Sequence, residues 1–457
     1  MSRWYLRSPK HGAIVLPLAN AARAFGVKTM SAPTEKEQIE QKFLKRYGKN
    51  TLPQSLISRK QNRSSIYACE STRRQLNGKG GTAMASDTII SADSHVFEPI
   101  NLWEKRIDKK FRDRAPRFIP NYNDKPGTWF VCEGVAPRSV ASIAAVGIPK
   151  EELVKFADAH YKDLRPGGYD PVERLKDQDI DGVSGEVLYA TYAMGLYGIP
   201  DPDLQAAAFN AYNDWMVELC GHAPNRLVGL ALISVYDVDQ AAAELQHWTK
   251  RGLRGAMIAC IPPADTEYSH KRYDPFWSAA EDVGVPISIH TLTSNRPPKY
   301  RFRGAGRAAA GYPETPMEVM LTLSEILTSD LFDRHPRLKL VLSEADTGWL
   351  PWMLERLDRG HARYSIQDGM PTKFKPSEYF HRNCSAALIA DRVGVFTREF
   401  MGVDNLMWSS DYPHTDSTWP RSRESIAHDF TGVSQADRVK MTCTNAAQLY
   451  GFKVNGG

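Results

Sequence analysis

Residues 91–99 read SADSHVFEP, and this stretch decides how the chain is interpreted. An apolar pair precedes it, a proline closes it, and Asp93, His95 and Glu98 fall within six positions. In an extended strand, residues i and i+2 point to the same side. Asp93 and His95 therefore face one way together, and Glu98 approaches them from the following loop. Three potential metal ligands at the end of a strand predict a functional site there.

From residue 88 onward, short apolar strands alternate with helical patterns. The eight predicted strands lie at 88–93, 183–190, 226–235, 254–260, 285–290, 337–345, 380–386 and 405–411. Eight strand–helix units over about 370 residues fit a (β/α)8 TIM barrel better than an open doubly wound sheet. No GxGxxG follows any of these strands, which argues against a dinucleotide-binding fold. The predicted fold class is therefore α/β.

The chain divides into two parts of opposite charge. Residues 1–83 contain 16 Lys/Arg and four Asp/Glu, a net charge of +12, whereas the rest of the 457-residue chain carries −7. We interpret 1–83 as a basic, disordered extension that is either a transit peptide or a stretch upstream of the true start at Met84. Residues 84–457 are predicted to form the barrel, with an insertion at 96–182 that covers its mouth.

Composition excludes several classes of protein. The chain is 42% hydrophobic and 24% charged, and no apolar run approaches the roughly 18 residues that a membrane span needs. A mildly acidic body is not typical of nucleic-acid binding. The six cysteines are scattered without CxxC spacing, so they predict no disulfide framework and no zinc finger. Reduced thiols in the cytoplasm are the expectation.

Further ligand types stand at the carboxyl ends of the predicted strands. Strand five ends in His290, strand six in Glu344, and strand eight in Asp411 with His414 just beyond. In a TIM barrel these ends meet at one face. Carboxylates crowded in a pocket of low dielectric repel one another, and a divalent cation holds them ionised. Histidine with Asp or Glu suits zinc, and also manganese or iron.

Each of these residues also has a purely structural interpretation. Asp411 or Glu344 could cap the helix that follows it. His290 could be a hydrogen-bonded core histidine, and His414 could belong to a loop. The recurrence of ligand types at four strand ends nevertheless favours a mononuclear metal site.

Two other segments leave alternatives open. The loop after strand five is rich in Arg and Lys, and its Arg301 and Arg303 either bind an anion, such as a substrate carboxylate, or belong to a solvated basic loop. Trp349 and Trp352 lie at helical spacing after strand six, where core packing is the expectation and an oligomer interface is the alternative.

Taken together, these segments resemble the amidohydrolase-related (amidohydrolase-2) family, in the branch of aminocarboxymuconate-semialdehyde, gamma-resorcylate and 5-carboxyvanillate decarboxylases. The resemblance covers roughly residues 88–452. It rests on SADSHVFEP, RLVGLALISVYD, DPFWSAAEDVGVPISIHT, FDRHPRLKLVLSEADTGWLPWMLERLD, WSSDYPHTDSTWP and NAAQLYGF. It implies a distorted barrel of the amidohydrolase superfamily, a homodimer, and one divalent metal ion held by Asp93, His95, His290 and Asp411.

The sequence departs from the family pattern at two positions. Asp93 stands where the HxH motif begins, and Glu344 replaces the strand-six histidine that activates water or handles protons. The fourth strand, RGAMIAC, has no lysine, which favours one metal ion over a bridged pair. The resemblance implies catalytic roles for Asp411, Glu344 and His290, while outer or substrate-binding roles are expected for Glu98, His414, Arg301 and Arg303.

The resulting expectation is a metal-dependent carboxy-lyase. It would remove CO2 without oxidation from an aromatic or enol carboxylic acid, a small molecule, with zinc as the expected metal and manganese or iron as alternatives. The alternative is a metal-dependent hydrolase of an ester, lactone, amide or C–C diketone bond. A third hypothesis is an inactive barrel that binds ligands.

Overall fold

The structure is a computed structural model that describes residues 88–263, 266–294 and 307–454. The extension 1–83, Met84, Arg301 and Arg303 lie outside the described residues. Within the described part of the chain, no helix combines the length and apolarity that a membrane span requires.

Parallel strands form the wall of a barrel, and the predicted α/β barrel is confirmed. One ladder contains β1 (Ile90–His95), β5 (Gly185–Tyr189) and β6 (Leu227–Gly229). The second contains β7 (Ala231–Leu232), β8 (Ala256–Ile258), β9 (Ile287–His290), β10 (Leu340–Ser343), β11 (Cys384–Leu388) and β12 (Leu406–Trp408). β6 and β7 are two halves of one strand separated by Leu230 alone.

The first and last strands are joined by backbone hydrogen bonds just beyond the end of β12. The N–H of Asp411 donates to the Asp93 carbonyl at 3.0 Å, and the N–H of His95 donates to the Tyr412 carbonyl at 2.6 Å. These bonds close the barrel at the point where both strands carry predicted ligands.

Helices follow the strands, and their ends are set by local sequence. Asp201 caps a 20-residue helix by accepting the N–H groups of Asp203 and Leu204, and Pro202 suits its first turn. In chain order the helices are α1 (Leu102–Arg106), α2 (Leu153–Phe156), α3 (Pro171–Asp181), α4 (Pro202–Gly221), α5 (Val238–Lys250), α6 (Asp274–Val283), α7 (Arg307–Gly311), α8 (Pro316–Leu327), α9 (Leu331–Arg334), α10 (Leu350–Asp368), α11 (Pro376–Asn383), α12 (Arg392–Phe396), α13 (Arg398–Met401), α14 (Ser422–Asp429), α15 (Gln435–Val439) and, after a π-helical turn, α16 (Asn445–Tyr450).

All eight predicted strands differ from the observed ones by one or more residues at their ends, and two of these differences are informative. The first runs Ile90–His95 rather than 88–93, so both potential ligands lie inside the strand. The predicted strand at 380–386 is wrong in its first half, because α11 continues to Asn383. Pro376 suits the first turn of that helix, and the Glu378 side chain accepts the Lys375 N–H at 2.9 Å. Both features fix the start of the helix at Pro376, and its eight residues then reach Asn383, inside the predicted strand.

The stretch 96–182 contains α3 and a small antiparallel sheet. That sheet has the order β2 (Arg117–Pro120), β3 (Thr128–Cys132) and β4 (Val135–Ser139). Phe118 packs edge-on against Tyr192, which follows β5, with ring centroids 5.2 Å apart. The N–H of Thr415, beyond β12, donates to the Ile143 carbonyl at 2.8 Å. The stretch therefore lies against loops at the carboxyl end of the barrel.

Core packing was expected for both Trp349 and Trp352, and this expectation is wrong for Trp352. Trp349, which precedes the helix, packs partly buried against the core, and its indole N–H donates to the Ala345 carbonyl at 2.7 Å. Trp352 is 61% exposed. Trp349 lies before the first residue of the helix, so the spacing of three residues does not place the two indoles on one helix face. The neighbouring α12 and α13 expose Phe396 and Phe400 in turn.

Candidate metal centre

Four strand ends bring the predicted ligands to one point of the barrel mouth. Asp93 and His95 lie at the end of β1, and His290 ends β9. In the register of β9 and β10, His290 lies beside the residue that precedes Glu344. Asp411 follows β12 and is tied to the backbone of Asp93. Parallel strands present their carboxyl ends at the same face, so residues nearly 320 positions apart become neighbours.

The side chains converge at short distances. Oε2 of Glu344 lies 3.1 Å from Nε2 of both His95 and His290, and the two Nε2 atoms are 3.3 Å apart. Oδ1 of Asp93 is 3.4 Å from Nε2 of His95, and Oδ1 of Asp411 is 3.5 Å from the same atom. All of these residues are buried except Glu344, whose side chain is 21% exposed. The cluster therefore opens to the mouth at Glu344.

Backbone carbonyls define the protonation of both histidines. Nδ1 of His95 lies 2.7 Å from the Ala190 carbonyl, and Nδ1 of His290 lies 2.9 Å from the Thr291 carbonyl. A carbonyl only accepts, so each Nδ1 carries a proton, and a ring in its neutral form presents an Nε2 lone pair to the cluster. Histidines that ligate metals are held in this way by their second nitrogen.

The converging lone pairs require a positive charge between them. Both carboxylate oxygens of Asp93 and Oε2 of Glu344 are buried without a hydrogen-bond partner among the described residues. Facing lone pairs at about 3 Å repel, and buried carboxylates of this kind are costly unless a cation compensates them. The ligand atoms of Asp93, His95 and His290 all lie within 4.8 Å of one another, and so do those of a second group that shares His95 and contains Glu344, Asp411 and His414. Imidazole nitrogens and carboxylate oxygens at this spacing form a donor set that fits one divalent metal ion.

The electrostatics of the protein groups lead to the same conclusion. Burial alone would lower the pKa of His95, but Asp93 and Glu344 raise it well above its usual value. Burial would raise the pKa of Glu344, but His290 and His95 hold it well below its usual range. Burial, together with the Glu344 charge, raises the pKa of Asp411 well above its usual value. The raised pKa values of His95 and Asp411 mean that, in the protein alone, bound protons offset the crowded negative charge. A metal cation bound at this point would supply that positive charge instead.

Two of these residues have a strained backbone. Glu344 has φ +51° and Asp411 has φ +56°, in the left-handed region that non-glycine residues seldom adopt. Such conformations cost about 1–3 kcal/mol each and persist at functional sites where the surrounding structure imposes them.

The alternative interpretation of Glu344 as a helix cap does not hold. The carboxylate that receives the N–H groups of Thr347 and Gly348, each at 2.7 Å, belongs to Asp391 in the loop after β11. Asp411 caps no helix either, since α14 begins only at Ser422 with Arg421 before it. Both carboxylates are therefore available to the site.

His414 lies beside the cluster and links it to a hydroxyl group. Its Nδ1 is 2.8 Å from Oδ1 of Asp411, its Nε2 is 3.0 Å from Oγ1 of Thr191, and its ring stacks on that of His95 with centroids 3.9 Å apart. Burial, reinforced by the nearby His95, lowers the pKa of His414 well below its usual value. Asp411, His414 and Thr191 therefore lie in contact in that order, beside the cluster.

Glu98 lies outside the cluster and holds a loop. Its two carboxylate oxygens accept the N–H groups of Thr191, Tyr192 and Ala193, each at 3.0 Å. Burial raises the pKa of Glu98, and the three N–H donors oppose that shift because they stabilise the carboxylate. Glu98 thereby fixes the loop after β5 whose Thr191 contacts His414.

Replacing Glu98 with Gln is expected to destabilise the protein. The amide NH2 would face backbone N–H donors in place of an oxygen, so at least one buried donor loses its partner at a cost of about 1–3 kcal/mol. The midpoint of urea unfolding measures this loss. The matched control is Glu104→Gln on the exposed face of α1, for which we expect a change within about 0.5 kcal/mol. Equal midpoints for the two variants would contradict the loop-holding role.

The structure adds two residues that the sequence analysis missed. The hydroxyl of Tyr189, at the end of β5, lies 2.9 Å from Oγ of Ser288 and 2.7 Å from Oγ of Ser343. The Tyr189 ring packs against both cluster histidines, with centroids 5.9 Å from His95 and 5.3 Å from His290. Arg138 of β4 is a partly buried cation whose charge interacts with Glu344. The position of Tyr189 next to the end of the predicted strand 183–190 could have indicated its role. Nothing local indicates the second, because β4 belongs to the stretch without barrel rhythm.

The chain matches the family described as Amidohydrolase over residues 157–452. A curated relative, the gamma-resorcylate decarboxylase of Rhizobium sp. (strain MTP-10005), is 28% identical over 302 residues, which cover 62% of this chain and 87% of that protein.

Two solved structures share the fold. The amidohydrolase map2389c from Mycobacterium avium subsp. paratuberculosis K-10 has a TM-score of 0.64 and 20% identity, covering 81% of this chain and 99% of that one. The 5-carboxyvanillate decarboxylase from Novosphingobium aromaticivorans DSM 12444, complexed with manganese and 4-hydroxy-3-methoxy-5-nitrobenzoic acid, has a TM-score of 0.58 and 20% identity, covering 80% and 96%. These likenesses show the barrel that both share with this chain.

Proposed function

This chain belongs to the amidohydrolase family, and from that premise we propose that it is a metal-dependent carboxy-lyase that removes CO2 from an aromatic carboxylic acid. The observation that carries the proposal is the convergence of two histidine lone pairs and unpartnered buried carboxylate oxygens at the barrel mouth. The curated decarboxylase relative supports the reaction class.

Asp93, His95, His290 and Asp411 would hold one divalent metal ion, with Glu344 at the open side of the site. When bound, the ion supplies Lewis-acid stabilisation of negative charge on substrate oxygens. Zinc suits this set of imidazoles and carboxylates. Manganese, which the 5-carboxyvanillate decarboxylase holds, is the alternative. Elemental analysis of the purified protein distinguishes the two.

Asp411 is proposed to deliver a proton to the ring carbon that loses CO2. Cleavage of the carbon–carbon bond leaves its electron pair on that carbon, and the proton from Asp411 completes the C–H bond. Each turnover therefore consumes one proton. His414 at 2.8 Å and Thr191 beyond it provide a buried path by which Asp411 is reprotonated.

Arg138 is proposed to bind the substrate carboxylate, a role that the sequence left open for Arg301 and Arg303, which lie outside the described residues. Its guanidinium is partly buried, and its charge acts on both Glu344 and His414. An anionic substrate entering a mouth rimmed by Asp and Glu needs a compensating cation, and a guanidinium matches a carboxylate with two parallel hydrogen bonds.

Replacing Arg138 with Met is expected to raise KM by about 10–100-fold, since a charge-assisted hydrogen bond contributes about 1.5–3 kcal/mol. A smaller effect on kcat is expected, because the residue binds the acid without moving a proton. Steady-state kinetics on the best substrate measure both constants. Arg117→Met, in the same small sheet and hydrogen-bonded to the Arg112 carbonyl, is the control that should leave KM unchanged. An unchanged KM in Arg138→Met would exclude the assignment.

The reaction is tested with the purified full-length protein, reconstituted with Zn²⁺ or Mn²⁺ and incubated with dihydroxybenzoates and 5-carboxyvanillate. Release of CO2 that a chelator abolishes is the expected result. Cleavage of esters or lactones without any CO2 release would instead establish the hydrolase, for which the pair of Asp411 and His414 could deprotonate water. Absence of stoichiometric metal and of both activities would favour the ligand-binding barrel.

We also propose that the enzyme is a cytoplasmic homodimer. Trp352, Phe396 and Phe400 give α10, α12 and α13 an exposed apolar face, and α10 and α13 contact each other. Apolar faces of this kind are typical of interfaces. The five cysteines in the described residues are free and buried, which fits a reducing compartment. A monomeric mass in sedimentation equilibrium would refute the dimer.

A further inference from the structure

Helix α3 buries its charged residues instead of exposing them. Arg174, Asp177, Gln178 and Asp181 recur at the spacing i, i+3, i+4 and i+7, which places them on one face of the helix, and each is at most 5% exposed. The apolar Val172 and Ile180 are 55% and 61% exposed. Because a buried charge is costly unless it is fully hydrogen-bonded, the partners of this face indicate what the helix does.

The Arg174 guanidinium has four hydrogen-bond partners, one of which is the Gly167 carbonyl at 3.4 Å from Nη1. Its Nε donates to Oε2 of Glu186 at 2.7 Å, its Nη1 donates to the His95 carbonyl at 2.6 Å, and its Nη2 lies 3.4 Å from the Tyr412 carbonyl. The guanidinium also stacks over the Tyr412 ring, 4.5 Å from the centroid. The contact thus reaches the first strand and the segment after the last strand at once.

The carbonyls of His95 and Tyr412 belong to residues that position proposed metal ligands. His95 is itself a proposed ligand, and Tyr412 directly follows Asp411. The Tyr412 carbonyl also accepts the His95 N–H at 2.6 Å. The guanidinium is therefore one rigid group bonded to the backbone of two ligand-bearing segments that belong to different ladders and are otherwise joined by two backbone hydrogen bonds.

The rest of the buried face of α3 contacts the same segment. The Tyr412 hydroxyl bonds to Asp177, which Arg165 also engages at 2.8 Å. Asp181 accepts the N–H and hydroxyl of Ser422 at 2.8 and 2.5 Å. Helix α3 thereby contacts the segment after β12 at two points, Tyr412 near its start and Ser422 near its end.

We propose that Arg174 is a positioning residue that sets the separation between the ligands of the first strand and the ligand of the last strand. This inference rests on the proposed metal centre. Lysine cannot replace arginine in this role, because a single ammonium offers no planar fork that spans the Glu186 carboxylate and three carbonyls.

The test measures the Kd for Mn²⁺, by the EPR signal of the free ion, on the full-length protein and three variants. Arg174→Lys is expected to weaken binding about 10-fold or more, as is usual when a group that orients a ligand is lost. Glu186→Gln removes the ion pair but leaves the three carbonyl contacts, so its Kd should stay within about twofold of wild type. Arg254→Lys is the matched control, because Arg254 also donates to three carbonyls, those of Tyr450, Gly451 and Pro224, away from the metal centre.

A purely structural role would give another pattern. Equal weakening in Arg174→Lys and Glu186→Gln, or no weakening in Arg174→Lys, would overturn the positioning role. Wild-type protein that binds no Mn²⁺ would overturn the metal centre and the inference together, so the two failures are distinguishable. If Arg174→Lys does not fold, the charge-neutral double variant R174Q/E186Q replaces it and is compared with Glu186→Gln alone, with the same 10-fold weakening expected.

Discussion

Asp411→Asn is expected to lower kcat for decarboxylation by about 10²–10⁴-fold, the usual contribution of a positioned general acid. Asparagine retains an oxygen at the site but has no carboxyl proton to give to the ring carbon. The contact between Asp411 and His414 at 2.8 Å also loses its acidic partner, so the path for reprotonation ends at the histidine. CO2 release under saturating substrate measures the effect, and elemental analysis shows how much metal the variant retains.

The matched control for this variant is Asp404→Asn, which lies just before β12 and pairs with Lys440 on the surface. Its activity and metal content should equal those of wild type. Should Asp411→Asn keep kcat within tenfold of wild type, the proton must come from another group, and Glu344, 3.1 Å from both cluster histidines, is the next candidate. Asp411 would then serve as a ligand only.

His290→Ala is expected to abolish stoichiometric metal binding and, with it, activity. It removes one of the two imidazole lone pairs, while the crowded carboxylates of Asp93 and Glu344 remain. Wild-type protein at a metal concentration of 1,000 times Kd gains about 4 kcal/mol of stability from binding, and the variant should lose most of this gain. Thermal unfolding with and without Zn²⁺ or Mn²⁺ measures the difference, and elemental analysis gives the occupancy.

His335→Ala is the control for histidine loss. His335 is likewise buried, but its Nε2 lies 3.1 Å from Asp274, outside the metal cluster. This variant should lose stability equally with and without metal, and its metal-dependent gain should remain. If His290→Ala retains the wild-type gain, the histidine is not a ligand and the donor set is wrong.

Sequence reasoning predicted the parts of the site that depend on local pattern. Apolar strands end in His290, Glu344 and Asp411, and strand alternation puts Asp93 and His95 on one side. The strand–helix rhythm predicted the barrel and the resemblance of the motifs predicted the family, and both predictions are confirmed. For Glu98 the sequence left open a ligand role and an outer or substrate-binding role, because its partners are the backbone N–H groups of residues 191–193. A single sequence does not show which backbone lies near a side chain 93 positions earlier.

The irregularity of the first strand was also invisible in the sequence. The pairing of β1 with β5 gains one extra residue between Ser91 and Ser94, a bulge of the kind found beside active sites. The hydroxyls of Ser91, Ser94 and Ser410 bond to one another around it, at 2.9 and 3.0 Å. This network depends on the closure of the barrel, which brings the loop after the last strand against the first.

The sequence by itself determined the barrel and the residue types at the strand ends, because strand alternation and strand–helix rhythm are local properties of the chain, and the resemblance of its motifs indicated the family. The tertiary structure alone decided the protonation of the histidines, the left-handed backbone at Glu344 and Asp411, and the burial of the charged face of α3. Each of these depends on a partner distant in sequence, such as the Ala190 carbonyl for His95 or the Tyr412 carbonyl for Arg174. Hydrogen bonds over such separations form only when the strands close into the barrel. For this reason the ligand residues could be predicted from the sequence, whereas their protonation and backbone conformation could not.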